Sequence, residues 1–314
     1  MALSKRAWRL GSIAVAGCVL IFAAAVVTLA ENGLRLPPHL RAVPEQKLAL
    51  AVGAKSGARL DAAEIVSADG LRLRGWYFEP KQANGDTVLL LHGVADSRRG
   101  VMRHAEFLLR YGYGVLAADS RGHGSSEGTL FSYGIREVDD VGRWVNWLFD
   151  QKQIRRLHGL GVSMGAAILL QTLERDSRFA ALVADSPFAT FREVAYDRIN
   201  LVLGTRNTPL APLCWGLLTP AFVYTSWKMG INLNHASPLR ALSASNVPVL
   251  LMHSPADVNI PVSHSRKLRT ARDANLEFWE MPEVRHGEAL RQLGPQYEQR
   301  VLDWFDRYSP ARKR

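Results

Sequence analysis

The 314-residue sequence has little cysteine, and its two cysteines, Cys18 and Cys214, cannot build a disulfide framework. Cys18 lies in an apolar run that we expect to sit in lipid, which argues against a disulfide between the two. The sequence also lacks a CxxC pair and any Cys/His spacing that is typical of a zinc site. We therefore expect neither a disulfide scaffold nor a bound metal.

Internal repeats and low-complexity tracts are also absent, and the composition (47% hydrophobic, 22% charged) is that of an ordinary globular chain. The net charge of +10 is the excess of 39 Lys and Arg over 29 Asp and Glu. These basic residues are scattered except near the two chain ends, and no helix-turn-helix, zinc-finger or RNP-type pattern accompanies them. We therefore expect no nucleic-acid partner, whereas an anionic membrane surface is compatible with the charge.

One long apolar run stands at the N-terminus. Leu10–Ala30 is 21 residues without a charge, preceded by Lys5, Arg6 and Arg9. As a helix it would be about 31 Å long, enough to cross the hydrocarbon core of a bilayer. We predict a retained signal-anchor over residues 1–30; the alternative is a signal peptide cleaved after Thr28-Leu29-Ala30, which would give a secreted protein.

The basic residues before this run predict that the N-terminus stays in the cytoplasm and that the remaining chain is periplasmic or extracellular. Three basic residues beyond the run oppose this orientation: Arg35, Arg41 and Lys47.

The soluble part alternates between strand-like and helix-like segments. A hairpin is predicted from Ala63–Ala68 and Leu71–Phe78 around the turn Asp69-Gly70. Six short apolar runs follow: Thr87–Leu91, Gly114–Asp119, Arg156–Leu160, Ala180–Ala184, Val247–Met252 and Leu276–Trp279. Helical stretches separate them, the clearest at about 135–149. This alternation predicts an α/β fold, with a mostly parallel sheet covered by helices on both faces.

We assign residues 31–61 to a linker with one short helix, 62–308 to the α/β domain and 309–314 to a basic tail.

The sequence Gly161-Val162-Ser163-Met164-Gly165 follows one predicted strand and precedes a helix of small and aliphatic residues. This G-x-S-x-G pattern, at a strand–helix junction, is typical of a nucleophilic serine on a sharp turn. The glycines would let the chain bend and let the helix pack close to the sheet. We predict Ser163 as a nucleophile.

A serine hydroxyl needs a base to remove its proton and a third group to orient that base. Asp257 and His286 each follow a predicted strand, and the order Ser163, Asp257, His286 is the one expected for this motif. Asp185, after the preceding strand, is a competing candidate for the acid. For the oxyanion we predict the backbone N–H groups of Met164 and Val94 as donors. The other strand-end and loop histidines are interpreted as loop or packing residues: His92, His123, His158, His253 and His264.

Together these residues resemble the serine α/β-hydrolase superfamily. The matching pieces are Leu91-His92-Gly93, Asp119–Ser126 with its Arg-Gly-His-Gly-Ser segment, Gly161–Gly165, Asp257-x-x-Ile260-Pro261 and His286-Gly287. With the N-terminal span, the sequence is most similar to the membrane-associated BEM46/ABHD-type esterase/lipase-like group. The resemblance implies hydrolysis of an ester, thioester or amide through an acyl-enzyme, without a metal or organic cofactor. It also implies that Ser163 is the nucleophile, His286 the base and then acid, and Asp257 the orienting carboxylate.

This sequence departs from the family pattern at two points. Ser254 stands where a glycine is usual, and the oxyanion loop has a single glycine, Gly93, instead of an HGGG-type run. The second departure argues against esters of bulky tertiary alcohols. The Arg121 and His123 loop is interpreted as scaffolding beside the site.

The segment of about 189–237 interrupts the alternation and is rich in aromatic residues, so we predict a helical cap over the site. Within it, Asn207–Trp227 carries no charge over 21 residues. A second membrane span there would separate Ser163 from Asp257 and His286, so we predict that this run does not cross. Two alternatives stay open: its apolar face dips into the bilayer, or the cap packs entirely on its own core.

The sequence thus predicts a membrane-anchored serine hydrolase of carboxylic esters with an apolar acyl group. A peptidase or an acyl-thioesterase with the same three residues is one alternative. A non-catalytic interaction module on this fold is another, although it would have no physical need of all three residues. The substrate is expected to be a small or lipid-like ester, and the sequence leaves the oligomeric state open.

Overall fold

The computed structural model describes residues 5–37, 41, 46–272 and 274–309. Parts of three predicted segments lie outside the described residues: residues 1–4 of the anchor, residues 38–40 and 42–45 of the linker, and all of the basic tail except Ser309.

An eight-stranded sheet forms the centre of the molecule. Its strands are β1 (Arg59–Val66), β2 (Arg72–Glu79), β3 (Asp86–Leu91), β4 (Gly114–Ala118), β5 (Arg156–Val162), β6 (Phe179–Asp185), β7 (Val249–His253) and β8 (Leu276–Glu280). Their order across the sheet is β1-β2-β4-β3-β5-β6-β7-β8. Strands β3 to β8 are mutually parallel, and β2 runs antiparallel to both of its neighbours. The predicted mostly parallel sheet is confirmed.

Helices cover both faces of the sheet. They are α1 (Lys5–Gly33), α2 (Gln46–Ser56), α3 (Met102–Arg110), α4 (Glu137–Gln151), α5 (Met164–Thr172), α6 (Phe191–Val202), α7 (Cys214–Met229), α8 (Pro238–Ser243), α9 (Ser263–Arg269), α10 (Ala289–Leu293) and α11 (Pro295–Arg307). Helices α2, α3 and α11 pack on one face, while α4, α5, α8 and α9 pack on the other.

Strand β3 shows why the central strands read as unbroken apolar runs. All six of its residues are buried. Val88 and Leu90 contact the core of one face, and Leu89 and Leu91 contact the core of the other. Because successive side chains point to opposite sides, a strand that is covered on both faces carries apolar residues at consecutive positions, here Val88–Leu91.

The sheet begins at Arg59, before the domain boundary that the sequence predicts at residue 62. The short helix expected in the linker is α2, and it belongs to the packed fold, because Ala49 and Val52 are buried in the core beside α3. The predicted strand positions are otherwise reproduced within a few residues at each end.

Helix α1 is long and apolar enough to cross a membrane over Trp8–Gly33, a stretch of 26 residues. It is the only such helix in the part of the chain that the structure describes. The second apolar run does not form a spanning helix, because α7 has 16 residues with Pro220 inside it, fewer than the roughly 20 that a span needs.

The cap is helical, as predicted, and consists mainly of α6 and α7. Helix α7 buries Leu218 and Phe222 but leaves Val223 and Trp227 65% and 78% exposed. The cap therefore keeps an apolar surface that its own core does not cover.

The loop after β4 is fixed by buried charges and rings. Arg121 donates to both carboxylate oxygens of Asp140 at 2.7 Å, and it also pairs with Asp69 in the β1–β2 turn. His123, fully buried, lies against Phe131 with 4.8 Å between ring centroids, and its Nδ1 lies 2.9 Å from the carbonyl oxygen of Arg121. These contacts agree with the interpretation of this loop as scaffolding.

We predict that His123 makes the protein sensitive to mild acid. Burial lowers the pKa of His123 from 6.5 to about 4. Between these values the unfolded chain binds a proton that the folded protein does not, so stability falls as the pH drops below about 6.5. In His123→Asn, the decrease in Tm from pH 7 to pH 5 should be smaller than in the wild type. Tm is measured by circular dichroism in detergent. An equal decrease of Tm in His123→Asn and in the wild type would show that His123 is not the source of the acid sensitivity.

Candidate active site

Ser163 occupies a strained turn between β5 and α5. Its backbone has φ 56° and ψ −116°, a region that residues with a side chain rarely adopt and that costs about 1–3 kcal/mol. Two hydrogen bonds hold the turn: Ser163 N–H donates to the carbonyl oxygen of Asp185 at 2.8 Å, and the Ser163 carbonyl accepts from Ala167 N–H at 3.1 Å. The turn therefore places the Ser163 side chain at the carboxyl edge of the sheet.

The two flanking glycines are required by close packing. A Cβ at Gly161 would lie 2.5 Å from the backbone nitrogen of Ala166, and a Cβ at Gly165 would overlap the carbonyl oxygen of Leu91. Helix α5 can therefore start this close to β3 and β5 only with glycine at both positions.

The structure brings the three predicted side chains into one hydrogen-bonded chain. His286 Nε2 lies 2.8 Å from Ser163 Oγ, and His286 Nδ1 lies 2.6 Å from Asp257 Oδ2. An ionised carboxylate only accepts, so Nδ1 carries the proton and Nε2 is free to accept from the serine hydroxyl. Ser163 and Asp257 are buried, whereas the imidazole is partly accessible.

Asp257 is held as a carboxylate by four donors. The backbone N–H groups of Asn259 and Ile260 each donate to Oδ1 at 2.9 Å. His286 donates to Oδ2, and His253 Nε2 lies 3.3 Å from the same oxygen. Burial by itself would raise the pKa of Asp257, but the hydrogen bonds from His253 and His286 outweigh it and hold this pKa well below its ordinary value. Asp257 is therefore negatively charged at neutral pH.

His253 has a structural contact with the site that the sequence analysis did not identify. Its Nε2 lies 2.9 Å from the carbonyl oxygen of Ile260, which can only accept, so Nε2 carries the proton and also points toward Asp257. Its Nδ1 then accepts from Ser265 Oγ at 2.7 Å. Its position as the last residue of β7, just before the predicted acid loop, was the only signal in the sequence.

Ser254, the departure from the family pattern, ties two loops of the site together. Its Oγ donates to the carbonyl oxygen of Pro282 at 2.8 Å and accepts from Val284 N–H at 2.9 Å. The hydroxyl thereby fixes the loop that carries Asp257 against the loop that carries His286.

Asp185, the competing acid, does not pair with the imidazole. It is buried at the end of β6, and its Oδ1 accepts from Ser186 Oγ at 2.9 Å. Burial raises the pKa of Asp185. The imidazole Nδ1 is directed to Asp257 instead.

The loop after β3 lies directly against Ser163. A Cβ at Gly93 would lie 3.4 Å from Ser163 Cβ, and Val94 and Met164 line the same cavity. Neither Val94 N–H nor Met164 N–H has a hydrogen-bond acceptor among the described residues. His92 fixes this loop, since its Nδ1 donates to the carbonyl oxygen of Gly93 at 2.7 Å and its Nε2 accepts from Ser120 N–H at 3.1 Å.

A cavity of about 750 Å³ opens beside Ser163 and His286. Its walls are mostly apolar, with Phe188, Phe191 and Phe222 from the cap region. The cap part of this wall agrees with the sequence prediction. Another part, for which the sequence carried no signal, comes from the end of α1.

The model of the α/β-hydrolase fold family matches residues 86–213, the part of the chain that runs from β3 through Ser163 into the cap. The chain has the α/β-hydrolase fold. Among solved structures, this hydrolase resembles the esterase Pf2001 of Pyrococcus furiosus, with a TM-score of 0.67 and 25% identity over 86% of this chain and 98% of that one.

Two sequence relatives differ in how much of their own length matches this chain. The uncharacterised protein YqkD of Bacillus subtilis is 28% identical over 77% of this hydrolase and 78% of its own length. Lysophosphatidylserine lipase ABHD12 of Rattus norvegicus is 28% identical over 65% of this hydrolase and 51% of its own length.

We predict that replacing Asp257, but not Asp185, by asparagine removes the carboxylate that orients His286. In Asp257→Asn the amide can donate to Nδ1, which would move the proton of His286 to Nε2 and block proton uptake from Ser163; kcat should fall about 10³-fold or more. The matched control Asp185→Asn should stay within about tenfold of the wild type. Loss of activity in Asp185→Asn with retention in Asp257→Asn would instead assign the orienting role to Asp185.

Proposed function

We propose that this protein is a membrane-anchored serine hydrolase that cleaves carboxylic esters with an apolar acyl group through an acyl-enzyme. The observation that carries the proposal is the chain Ser163–His286–Asp257 at the edge of a large apolar cavity. A nucleophile, a base and an orienting carboxylate in hydrogen-bond contact are what acyl transfer requires.

In the first half of the proposed reaction, His286 Nε2 takes the proton of Ser163 while Oγ attacks the ester carbonyl carbon. The negative charge that develops on the carbonyl oxygen is stabilised by the free N–H groups of Val94 and Met164. The tetrahedral intermediate then breaks its bond to the alcohol oxygen, which receives the proton from His286 and leaves. Asp257 stays ionised and stabilises the imidazolium throughout.

In the second half, His286 removes a proton from a water molecule, and the resulting nucleophile attacks the acyl carbon. The intermediate breaks its bond to Ser163 Oγ, which regains its proton from His286, and the carboxylic acid is released. The serine, the imidazole and the carboxylate are thereby returned to their starting states.

The shape and composition of the cavity support an ester with an apolar acyl chain. Aromatic and aliphatic side chains dominate its lining, and its volume of about 750 Å³ suits a ligand larger than a short acyl group. The esterase Pf2001 and the lipase ABHD12 are named for ester-cleaving activities, which supports ester hydrolysis over peptide or thioester hydrolysis. Helix α1 supports a membrane location, with the hydrolase domain proposed on the non-cytoplasmic side.

Fluorophosphonate labelling tests the nucleophile. The wild type in its membrane fraction should be labelled, and Ser163→Ala should lose all labelling together with several orders of magnitude of ester turnover. The matched control Ser263→Ala removes an exposed hydroxyl on α9 and should label like the wild type. Labelling that persists in Ser163→Ala would refute the assignment, and an inert but folded wild type would favour the non-catalytic interaction module.

A substrate panel separates the enzymatic alternatives. We expect kcat/KM to be highest for p-nitrophenyl esters of medium or long acyl chains. Acyl-thioesters of the same chains and aminoacyl amides should react more slowly. Faster turnover of thioesters would indicate an acyl-thioesterase, and faster turnover of amides a peptidase.

A further inference from the structure

The end of the N-terminal helix forms part of the wall of the active-site cavity. Leu29, Ala30 and Gly33 of α1, and Leu34 directly after it, line the same cavity as Ser163 and His286. Ala30 and Leu34 are almost fully buried, at 4% and 1% exposed. An anchor alone does not require contact with the cavity, so this position indicates a second role for the end of α1.

Close packing between α1 and the cap helix α7 holds this wall in place. Val26 and Ala30 of α1 form a buried cluster with Ala221 of α7, and Leu217 and Tyr224 pack against it. The small side chains of Ala30 and Ala221 allow the two helices to approach closely. The cavity therefore lies along the line where the anchor meets the cap.

Polar contacts fix the same end of α1 on two sides. Tyr224 Oη donates to Glu31 at 3.0 Å, which joins the helix to the cap. On the side of the hydrolase core, Phe131 N–H donates to the carbonyl oxygen of Leu34 at 3.1 Å, and Tyr133 Oη donates to that of Gly33 at 3.2 Å. The chain after the membrane helix is thus bound to the domain rather than joined to it by a free linker.

The part of α1 that precedes its contact with the cap has an exposed, apolar surface. Ile13, Leu20 and Ile21 are 69–73% exposed, as expected for side chains that face lipid. On α7, Val223 and Trp227 are also exposed, and the ring of Trp227 lies 6.0 Å from that of Tyr224, which packs against α1. Apolar side chains therefore cover the exposed stretch of α1, and apolar side chains at the end of the same helix line the cavity.

We propose that α1 is a specificity element of the active site: the substrate is a membrane-dissolved amphiphile whose long acyl chain lies against Leu29, Ala30 and Leu34 while its ester reaches Ser163. This inference rests on the proposed ester hydrolysis and adds the substrate class and a role for the anchor. It also requires a retained helix, because cleavage after Ala30 would remove Leu29 and Ala30 from the wall.

The test is an acyl-chain series on the full-length protein in nanodiscs, from p-nitrophenyl acetate to p-nitrophenyl palmitate. Ala30→Phe places a ring in the wall and should lower the ratio of kcat/KM for palmitate to kcat/KM for acetate by about tenfold or more. The matched control Ala25→Phe makes the same change on the exposed side of the same helix and should keep the wild-type chain-length profile. Equal profiles for Ala30→Phe and the wild type would overturn the inference.

A second variant and a wild-type measurement guard against a fold defect in Ala30→Phe. Leu34→Ala enlarges the cavity and should shift the preferred acyl chain to greater length. In the wild type, an alkyl fluorophosphonate with a terminal diazirine, attached at Ser163 and irradiated, should crosslink to the peptide containing residues 29–34. Crosslinks that fall only on other walls at every chain length would overturn the inference.

The two proposals fail in different ways. If the wild type neither cleaves esters nor reacts with the fluorophosphonate, the proposed function fails. If it cleaves esters through Ser163 but neither Ala30→Phe nor Leu34→Ala changes the chain-length profile, only the role of α1 fails.

Discussion

The close approach of helix α5 to strand β3 determines where the Ser163 side chain, the candidate nucleophile, lies. Gly165 has no space for a side chain beside the carbonyl oxygen of Leu91, so the chain can turn at Ser163 only in a strained conformation. Surrounding hydrogen bonds to Asp185 and Ala167 hold that strain in the folded state. Because β3, β5, β7 and β8 are parallel, the loops that follow them meet at the same edge of the sheet, and each supplies one part of the site.

Electrostatics then fix the orientation of the imidazole. Asp257 is buried, yet its four donors keep it charged, and that charge selects the tautomer of His286 that leaves Nε2 open toward Ser163. Ser254 links the two loops concerned, so the acid and the histidine are positioned together although 29 residues separate them. Asp185 lies at the neighbouring strand end without these donors, and its burial opposes ionisation.

Local patterns in the sequence predicted the mostly parallel sheet, the turn at Ser163 and the helical cap, because each depends on residues close together in the chain. The candidate residues Asp257 and His286 could be located since parallel strands end at one edge. The support from His253 and Ser254 could not be predicted, because it depends on contacts between separate loops. The wall formed by α1 could not be predicted either, because it depends on contacts between residues far apart in the chain, such as Glu31 and Tyr224, which are 193 residues apart. The apolar run of 207–227 was ambiguous because length and hydropathy do not show which side chains become buried.

Mass spectrometry of the enzyme during turnover tests the central claim most directly. Full-length protein is mixed with excess p-nitrophenyl ester, quenched in acid within the first turnovers and digested. The account predicts an added mass of one acyl group on the peptide that contains Ser163, more abundant when deacylation is slow. Ester turnover without any such adduct, or an adduct confined to another residue, would contradict it.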